Sequence, residues 1–358
     1  MDAESKTTLR KIADKTGITR MAVSLALRGK AGVSDATREK VLKAAEELGY
    51  EPDPEVARLM ARIRANAPSN TKACLALLTS GTAADDWNLS VTERKYVEGV
   101  KSRAKEYGYR IEPFWINAPG MTAERLGNII WSRGIDGLIV APLQGRLSAK
   151  ESRSIQFDFS RFSVVEISET VEEPDLNRAI HDQYTSMLRL LHELSSLNYR
   201  RIGLVLEEAL DLRVNGKWTA AYLQYCFRQG KKQMPPPLIL PAPDQSVFNQ
   251  WFDQYHPDVI VSVDRFGLHL VENRGLKIPA EVGYASLDLD GDAPEHLTIS
   301  GIDQNSSQVG AAAVDMLVAA MQRGQRGTPA YRLHTQVEGT WVLGKSTVRQ
   351  PKASSKPV

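Results

Sequence analysis

Residues 8–28 read TLRKIADKTGITRMAVSLALR, and this stretch decides the fold of the N-terminal part of the chain. It holds two short helical patterns separated by Gly17, a residue that can adopt the positive φ of a tight turn. Thr19 follows as a candidate N-cap of the second helix. Apolar residues recur at helical spacing in both patterns, at Leu9, Ile12 and Ala13 and again at Val23 and Leu27. The stretch therefore predicts two amphipathic helices joined by a tight turn.

A third helical pattern follows directly. Ser34 is its candidate N-cap and Gly49 its candidate end. Its apolar positions are Val41, Ala44, Ala45 and Leu48. Three short helices with a tight turn between the first two predict a helix-turn-helix, whose second helix enters the DNA major groove.

Charge separates this reading from its alternative, a small three-helix bundle with no nucleic-acid role. Between Lys6 and Lys43 there are ten Lys or Arg residues and three acidic residues, a local net charge of +7. Such an excess suits contacts with phosphates. A basic face is common on solvated helices, but together with the helix spacing it favours DNA binding.

Residues 8–50 resemble the DNA-binding headpiece of the lactose-repressor (LacI/GalR) family, through the runs IADKTGIT, AVSLAL and GVSDATREKVLKAAEELGYEP. The resemblance implies that Arg20 and Met21, the first outward residues of the second helix, read bases. Arginine can donate a bidentate pair to guanine, whereas methionine offers only apolar contact. A third family position, often arginine, is Leu25 here. The remaining expected headpiece contacts with DNA are Thr8, Thr19, Ser24, Arg28 and Lys30.

The next segment, residues 51–72, reads EPDPEVARLMARIRANAPSNTK and begins with strong helix-start signals at Asp53 and Pro54. In the resembling family this is a hinge helix whose leucine wedges into the minor groove, and Leu59 falls on that position. The acidic Asp53-Pro54-Glu55 run departs from the family pattern and is unfavourable beside phosphate. The alternative is an amphipathic linker helix that packs on its dimer mate.

From Lys72 onward, short apolar strands such as CLALLTS and DGLIVAP alternate with helical patterns of 10 to 18 residues. This alternation predicts parallel sheets built from βαβ units. The runs WSRGIDGLIV, PDVIVSVD, KIPAEVGYASLD and LTISGIDQNSSQVGAAAV resemble the family's effector-binding core. The predicted fold is thus an all-α helix-turn-helix headpiece joined to an α/β core of two lobes, like that of periplasmic binding proteins.

The resemblance also implies an effector cleft between the two lobes. Arg213 in RVNG and Asp264 in SVD match the family's cleft residues, while Val263 replaces a usual Asn. Strand-end positions at such a crevice favour ligand contact, so Gln304 and Gln144 are further candidates. Trp87 could stack on a sugar face, although packing is the favoured interpretation for it.

Nothing in the sequence calls for catalysis, a cofactor or a metal. Six histidines are scattered without a metal-binding pair, and the LDLDGD run at 287–292 is interpreted as a polar turn. The two cysteines are expected to be buried free thiols. An apolar signal core is absent from the N-terminal residues, as is any apolar run of eighteen residues from the whole chain, so a cytoplasmic, nucleoid-associated protein with no membrane segment is expected.

The length of 358 residues predicts several domains. We expect a headpiece over 1–51, a hinge and linker over 52–71, an effector-binding and dimerisation domain over 72–345, and a disordered tail over 346–358. The predicted function is a ligand-responsive regulator of transcription, of the repressor type, that acts as a homodimer on a near-palindromic operator in double-stranded DNA. By resemblance its effector is a carbohydrate. The alternatives are a constitutive DNA binder with a ligand-free core and a solute-binding protein.

Overall fold

A computed structural model of the chain describes residues 9–27, 32–50, 73–143, 153–229, 234–263, 265–290 and 298–351. The described residues form a helical headpiece at the N-terminus and two α/β lobes. This arrangement confirms the predicted fold class.

The headpiece consists of α1 (Leu9–Thr16), α2 (Arg20–Leu27) and α3 (Asp35–Glu47). Their apolar faces meet in one small core formed by Ile12, Ala13, Val23, Ala26, Val41, Ala44 and Ala45. Leu9, Leu27 and Leu48 cover its edge. The residues that recur at helical spacing in the sequence are thus the ones that pack in this core.

Local signals fix the headpiece helices at their ends. Gly17 adopts a φ of +68° between α1 and α2. The Thr19 hydroxyl accepts a hydrogen bond from the amide of Ala22 at 3.3 Å, and the Ser34 hydroxyl accepts one from Thr37 at 3.3 Å. Both side chains satisfy amides that lack a partner within their helix.

The first lobe, which we call the N-lobe, contains a six-stranded sheet in the order β11-β5-β4-β3-β1-β2. Its strands pair in parallel. The strands are β1 (Cys74–Thr79), β2 (Arg110–Trp115), β3 (Gly137–Val140), β4 (Ser163–Ile167), β5 (Asn177–His181) and β11 (His334–Val337). The inner strands β1, β3 and β4 are buried and read as mainly apolar runs, whereas the edge strands β2 and β11 are more exposed and more polar. The helices associated with this sheet are α4 (Val91–Glu106), α5 (Ala123–Ser132) and α11 (Ser306–Gln322).

The second lobe, the C-lobe, has a six-stranded sheet in the order β12-β10-β9-β8-β6-β7. Only the edge strand β12 (Thr340–Val342) runs antiparallel to its neighbour among the described pairs. The other strands are β6 (Ile202–Glu207), β7 (Leu238–Leu240), β8 (Val259–Ser262), β9 (Gly283–Ser286) and β10 (Ser300–Asp303). The helices are α6 (Gln183–Ser196), α7 (Glu208–Arg213), α8 (Lys217–Arg228), α9 (Gln245–Tyr255) and α10 (Phe266–Asn273).

Within the described residues the chain passes between the lobes three times. It leaves the N-lobe after β5, returns through Gln304 and Asn305 to α11, and crosses again at Gly339 between β11 and β12. The three crossovers lie close together, since Gly339 donates its amide hydrogen to the Ser186 hydroxyl at 3.1 Å. Each lobe is consequently made from two separate stretches of chain.

Two glycines allow α4 and α11 to touch along their backbones. A Cβ on Gly99 would lie 1.8 Å from the carbonyl oxygen of Ser307, and one on Gly310 would lie 2.0 Å from that of Tyr96. Neither position can therefore carry a side chain without moving a helix. This contact holds the middle of α4 against the first two turns of α11, next to the second crossover.

Two further predictions concern membrane-spanning segments and the thiols. No helix formed by the described residues combines the length and the apolar character needed to cross a membrane. Cys74 and Cys226 are both free thiols, but each is half-buried rather than buried as expected. Cys74 lies on the first residue of β1, where the strand has only begun to enter the sheet.

Candidate functional site

A cavity of about 340 Å³ lies between the lobes, at the carboxyl ends of the strands of both sheets. From the N-lobe it is lined, among others, by Thr92, Glu93, Tyr96, Glu169 and His181. From the C-lobe its lining includes Gln183, Glu207, Arg213, Trp218, Asp288 and Gln304. This volume and this position are typical of small-molecule sites in α/β proteins.

Arg213, at the end of α7, reaches across this cavity to the N-lobe. One guanidinium nitrogen donates to the carbonyl oxygen of Leu143 at 2.9 Å. The other lies 3.4 Å from a carboxylate oxygen of Glu93, which is 7% exposed. The side chain that the sequence predicts to contact a ligand therefore also ties the two lobes together.

Glu169 receives a second set of contacts from the C-lobe. Lys217 donates to both of its carboxylate oxygens at 2.6 Å, and the side-chain amide of Asn215 donates to one of them at 2.9 Å. Arg153 adds a hydrogen bond to the carbonyl oxygen of Leu212 at 3.2 Å. We call these contacts, together with the Arg213–Glu93 pair, the cross-cleft contacts.

The LDLDGD run, interpreted from the sequence as a polar turn, contributes to the same interface. Asp288 accepts a hydrogen bond from the Thr92 hydroxyl at 2.7 Å, and Asp290 forms an ion pair with Lys95. Asp290 also accepts from Ser306 at 3.0 Å. The two carboxylates thus bind α4 and the start of α11.

A chain of side-chain amides lines the wall of the cavity near the crossovers. The indole N–H of Trp218 donates to the side-chain oxygen of Gln183 at 2.8 Å. Gln183 in turn donates to Gln304 at 3.4 Å, and Gln304 donates to the carbonyl oxygen of Leu287 at 3.0 Å. Gln304, a candidate from the sequence, is therefore held in a fixed position at the cavity.

His181 is the least satisfied polar residue of the lining. It is 3% exposed, and neither imidazole nitrogen has a hydrogen-bond partner within the part of the chain that the structure describes. Burial lowers its pKa to about 4, although Asp182 acts in the opposite direction. The imidazole is therefore neutral at physiological pH, with one donor and one acceptor nitrogen.

The predicted effector residues are thus only partly brought together. Arg213 and Gln304 line the cavity, whereas Trp87 is not among its described lining residues. Trp87 packs instead against the apolar core under α4, with the Lys101 ammonium 5.5 Å from its ring centre. Gln144 and Asp264 lie outside the described residues.

Several lining residues were not predicted from the sequence, most clearly Glu93, Glu169, His181, Glu207 and Trp218. Their position in the sequence could have indicated them, because they lie at or just after the ends of β1, β4, β5 and β6 or in the helices that follow. Residue type alone did not mark them, since acidic side chains at helix starts also serve as ordinary surface groups.

In the headpiece, Arg20 and Met21 lie on the outer surface of α2, and Met21 is 77% exposed. Its exposed side chain is accessible for apolar contact with a base edge such as the thymine methyl group. Thr19 caps α2, and Ser24 is half-buried on the same helix. Of the other predicted DNA contacts, Thr8, Arg28, Lys30 and Leu59 lie outside the described residues.

Comparisons with known proteins match both parts. Residues 8–53 match the family model described as bacterial regulatory proteins, lacI family. Residues 191–347 match that of a periplasmic binding protein-like domain.

Individual relatives cover nearly the whole chain. The HTH-type transcriptional repressor CytR of Escherichia coli (strain K12) is 25% identical over 343 residues, which span 89% of this chain and 91% of CytR. The structure of the transcriptional regulator CelR-cellobiose complex aligns over 96% of this chain and 100% of CelR, with a TM-score of 0.56 and 17% identity. The lac repressor dimer bound to operator and the anti-inducer ONPF covers the same shares, with a TM-score of 0.54 and 18% identity. Residues 8–53 thus form a DNA-binding headpiece of the lacI family of bacterial regulatory proteins, and they precede a core whose residues 191–347 match a periplasmic binding protein-like domain.

Proposed function

We propose that the protein is a transcriptional regulator, of the repressor type, whose affinity for DNA depends on a small molecule bound between its lobes. One observation carries the proposal: a single chain joins a headpiece that exposes Arg20 and Met21 on its second helix to a core with a 340 Å³ interlobe cavity. The first feature suits base reading in the major groove, and the second suits ligand binding. No enzymatic activity is proposed.

The proposed ligand is a carbohydrate or a similar metabolite. A relative is the sucrose operon repressor of Shigella flexneri, 26% identical over 195 residues, and the structure of CelR holds cellobiose. The lining of the cavity combines carboxylates and amides with the aromatic rings of Tyr96 and Trp218. Such groups can bind hydroxyls and cover the face of a sugar ring. We assign Arg213 and Gln304 to this site, together with Asp264 and Gln144.

We further propose that two copies bind adjacent half-sites of a near-palindromic operator. The related lac repressor structure is a dimer bound to operator. A two-fold dimer matches the symmetry of such a site. Ligand binding would change the spacing of the two hinge segments, residues 52–71, and so the fit of the headpieces on DNA. A coupling of this kind is typically about 1–3 kcal/mol. The proposed place of action is the cytoplasm.

Val263 favours a second candidate, a constitutive DNA binder whose core has lost its ligand. This residue lines the cavity at a position where the family usually has Asn. The convergent polar lining, with Gln183 and Gln304 held in place by hydrogen bonds, supports retained ligand binding instead.

The proposed function can be tested by selecting fragments of the source genome on the purified full-length protein at physiological salt, followed by sequencing. We expect a few sites that share a near-palindrome. Recovery of bulk DNA without a shared motif would contradict sequence-specific binding.

The same selection can test the role of Arg20. Replacing Arg20 with Ala should cost about 1–3 kcal/mol on the specific site and relax the preference at one base position. Arg323→Ala, in an exposed residue after α11, is the matched control and should leave the selected motif unchanged. An equal loss of affinity for random DNA in Arg20→Ala would instead identify Arg20 as a phosphate contact.

A further inference from the structure

A second cavity, of about 640 Å³, opens at the edge of the C-lobe sheet that lies opposite the interlobe cleft, and we call it the distal pocket. The strands β6, β7 and β8 pair in parallel and begin at this edge, whereas the cleft lies at their carboxyl ends. The described lining of the distal pocket consists of Arg200, Arg201, Met234, Pro235, Gln254, Tyr255 and Asp258. Its volume is typical of a small-molecule site.

Arg200 and Arg201 give the distal pocket its charge. Both side chains are exposed, and neither guanidinium has an ion-pair or hydrogen-bond partner among the residues that the structure describes. Asp258 is the acidic residue of the lining, but its two carboxylate oxygens accept hydrogen bonds from the backbone amides of Arg200 at 2.9 Å and of Arg201 at 3.1 Å. Two guanidinium groups and one carboxylate leave an excess of one positive charge in the pocket.

Hydrogen bonds fix the backbone around the distal pocket. The amide of Asp258 donates to the carbonyl oxygen of Arg201 at 3.0 Å, which completes a reciprocal set of bonds at the start of β6. Before β7, the hydroxyl of the buried Tyr222 lies 2.6 Å from the carbonyl oxygen of Pro235. A ligand therefore meets two arginines whose backbone is already in place, and this lowers the entropic cost of binding.

Arginine side chains without a carboxylate partner are well suited to bind phosphate. A planar guanidinium can donate two parallel hydrogen bonds to two oxygens of one phosphate group. Two adjacent guanidiniums also repel each other, and a bound dianion offsets that repulsion. Gln254 and Tyr255, at the end of α9, add an amide and a hydroxyl whose side chains make no hydrogen bond to the described residues. Both groups can donate to further phosphate oxygens.

Met234 and Pro235 form the apolar part of the distal pocket, and Pro235 is buried. A phosphate group needs no apolar surface, and it fills only a small share of 640 Å³. The pocket therefore also has room for the carbon skeleton of a larger compound. Its concave shape favours a small molecule over the phosphates of a DNA backbone.

We propose that the distal pocket is a second ligand site, separate from the interlobe cleft, and that it binds a small phosphorylated compound through Arg200 and Arg201. The site is built by the C-lobe alone. It lies at the opposite end of β6 from the cleft, about 20 Å away along a strand of six residues. The proposal depends neither on the ligand of the cleft nor on recognition of an operator.

The test is a calorimetric titration of the full-length protein with inorganic pyrophosphate, which carries phosphate groups and no sugar. Arg200→Gln combined with Arg201→Gln should weaken binding about ten-fold or more, because charge-assisted hydrogen bonds are lost. Arg125→Gln combined with Arg323→Gln removes the same charge from two exposed arginines outside the pocket and is the matched control. No binding to the wild type would overturn the proposal. An equal loss in the control would also overturn it, since it would show only a general attraction of anions to the protein.

Gln254→Glu guards against a folding defect in the arginine variant. It keeps both arginines and places a negative charge in the pocket, so it should weaken pyrophosphate binding about ten-fold or more. Gln322→Glu, in an exposed residue at the end of α11, makes the same change elsewhere and should leave the affinity unchanged. An unchanged affinity in Gln254→Glu would place the pyrophosphate outside the pocket and overturn the proposal.

Labelling of the wild type with phenylglyoxal, which modifies exposed arginines, locates the ligand directly. Pyrophosphate should slow the modification of Arg200 and Arg201, mapped by mass spectrometry, and leave that of Arg125 unchanged. Random double-stranded DNA is the competing occupant. If Arg200→Gln with Arg201→Gln weakens binding of random DNA but not of pyrophosphate, the two arginines are contacts with DNA phosphates and the small-molecule site is excluded.

Discussion

At the scale of single residues, His181 combines burial with unsatisfied polar atoms. Its nitrogens have no hydrogen-bond partner within the described part of the chain, and a Cβ on Gly339 would lie 2.9 Å from its Cε1 atom. The ring is thus held against the third crossover in an environment that disfavours its charged form. A buried polar group without a partner costs about 1–3 kcal/mol of stability.

Replacing His181 with Leu should therefore leave the core as stable at pH 7, or more stable by about 1–3 kcal/mol. The pKa of His181 is about 4 in the folded protein and near 6.5 in an unfolded chain, so the unfolded chain binds the extra proton between these values. The contribution of His181 to the free energy of unfolding of the wild type is fully present above pH 6.5. It falls by about 3 kcal/mol in all as the pH is lowered towards 4. Urea unfolding of both proteins between pH 4 and 7 measures this loss, because the difference between their free energies of unfolding should widen as the pH falls.

Burial raises the pKa of Glu166 to about 7, so this residue contributes to the pH dependence with the opposite sign. Its contribution is the same in both proteins and therefore cancels in the difference between their free energies of unfolding. His269→Leu, in an exposed residue of α10, is the control and should give a pH dependence like that of the wild type. A His181→Leu protein that is clearly less stable at pH 7 would show that the imidazole is satisfied in solution.

Individual site residues were predictable from the sequence only where a motif marks them. Arg213 and Gln304 were expected at the cleft and line the cavity. Trp87 was a candidate for stacking on a sugar, but it packs under α4 beside Lys101. It lies in a short 3-10 helix, Asp86–Asn88, after β1, and the direction of its side chain depends on tertiary packing that no local pattern records.

At the scale of elements, the contact between α4 and α11 depends on glycine. The carbonyl oxygens of Ser307 and Tyr96 occupy the space that a Cβ on Gly99 or Gly310 would need. Gly127 in α5 differs, because its nearest neighbours lie at 3.6 Å, an ordinary van der Waals distance. The two kinds of helical glycine should therefore respond to alanine with opposite signs.

Gly99→Ala should destabilise the core by about 1–3 kcal/mol or more, because α4 and α11 must separate. Gly127→Ala, the matched control, should stabilise it by roughly 0.5–1 kcal/mol through the lower conformational entropy of the unfolded chain. Urea midpoints of the two variants measure the difference. Equal effects at both positions would contradict close packing at Gly99.

Helices and strands were largely predictable because their patterns are local. Ser34, Gly17 and Gly49 mark helix ends through cap chemistry, and buried parallel strands read as apolar runs. The pairing of α4 with α11 was not predictable, since these helices are about 200 residues apart in sequence. Glycine in a helix signals close approach only once the neighbouring element is known.

At the scale of the whole molecule, the cross-cleft contacts join the two lobes. Lys217 and Asn215 of the C-lobe bind Glu169 of the N-lobe, and Arg213 binds Glu93. Hydrogen bonds to charged groups are worth about 1.5–3 kcal/mol each. The balance between open and closed lobes therefore depends on a few side chains.

Lys217→Met should shift this balance towards open lobes, because it removes the cation from Glu169, which is 5% exposed. We expect a larger radius of gyration by small-angle X-ray scattering. Lys345→Met, at an exposed position near the end of the C-lobe, is the control. An unchanged radius of gyration in Lys217→Met would mean that this contact does not hold the lobes closed.

The passage of the chain between the lobes also bears on how genes of this family can recombine. Each lobe is assembled from two stretches that the other lobe interrupts, so a single exchange between two genes cannot transfer one complete lobe. The headpiece helices, by contrast, come from one uninterrupted stretch, residues 9–47. One exchange within the codons for residues 52–71 would join a different headpiece to an unchanged core, and the same ligand would then act at a new site in the genome. New regulatory circuits should therefore arise more readily by replacing headpieces than by replacing lobes.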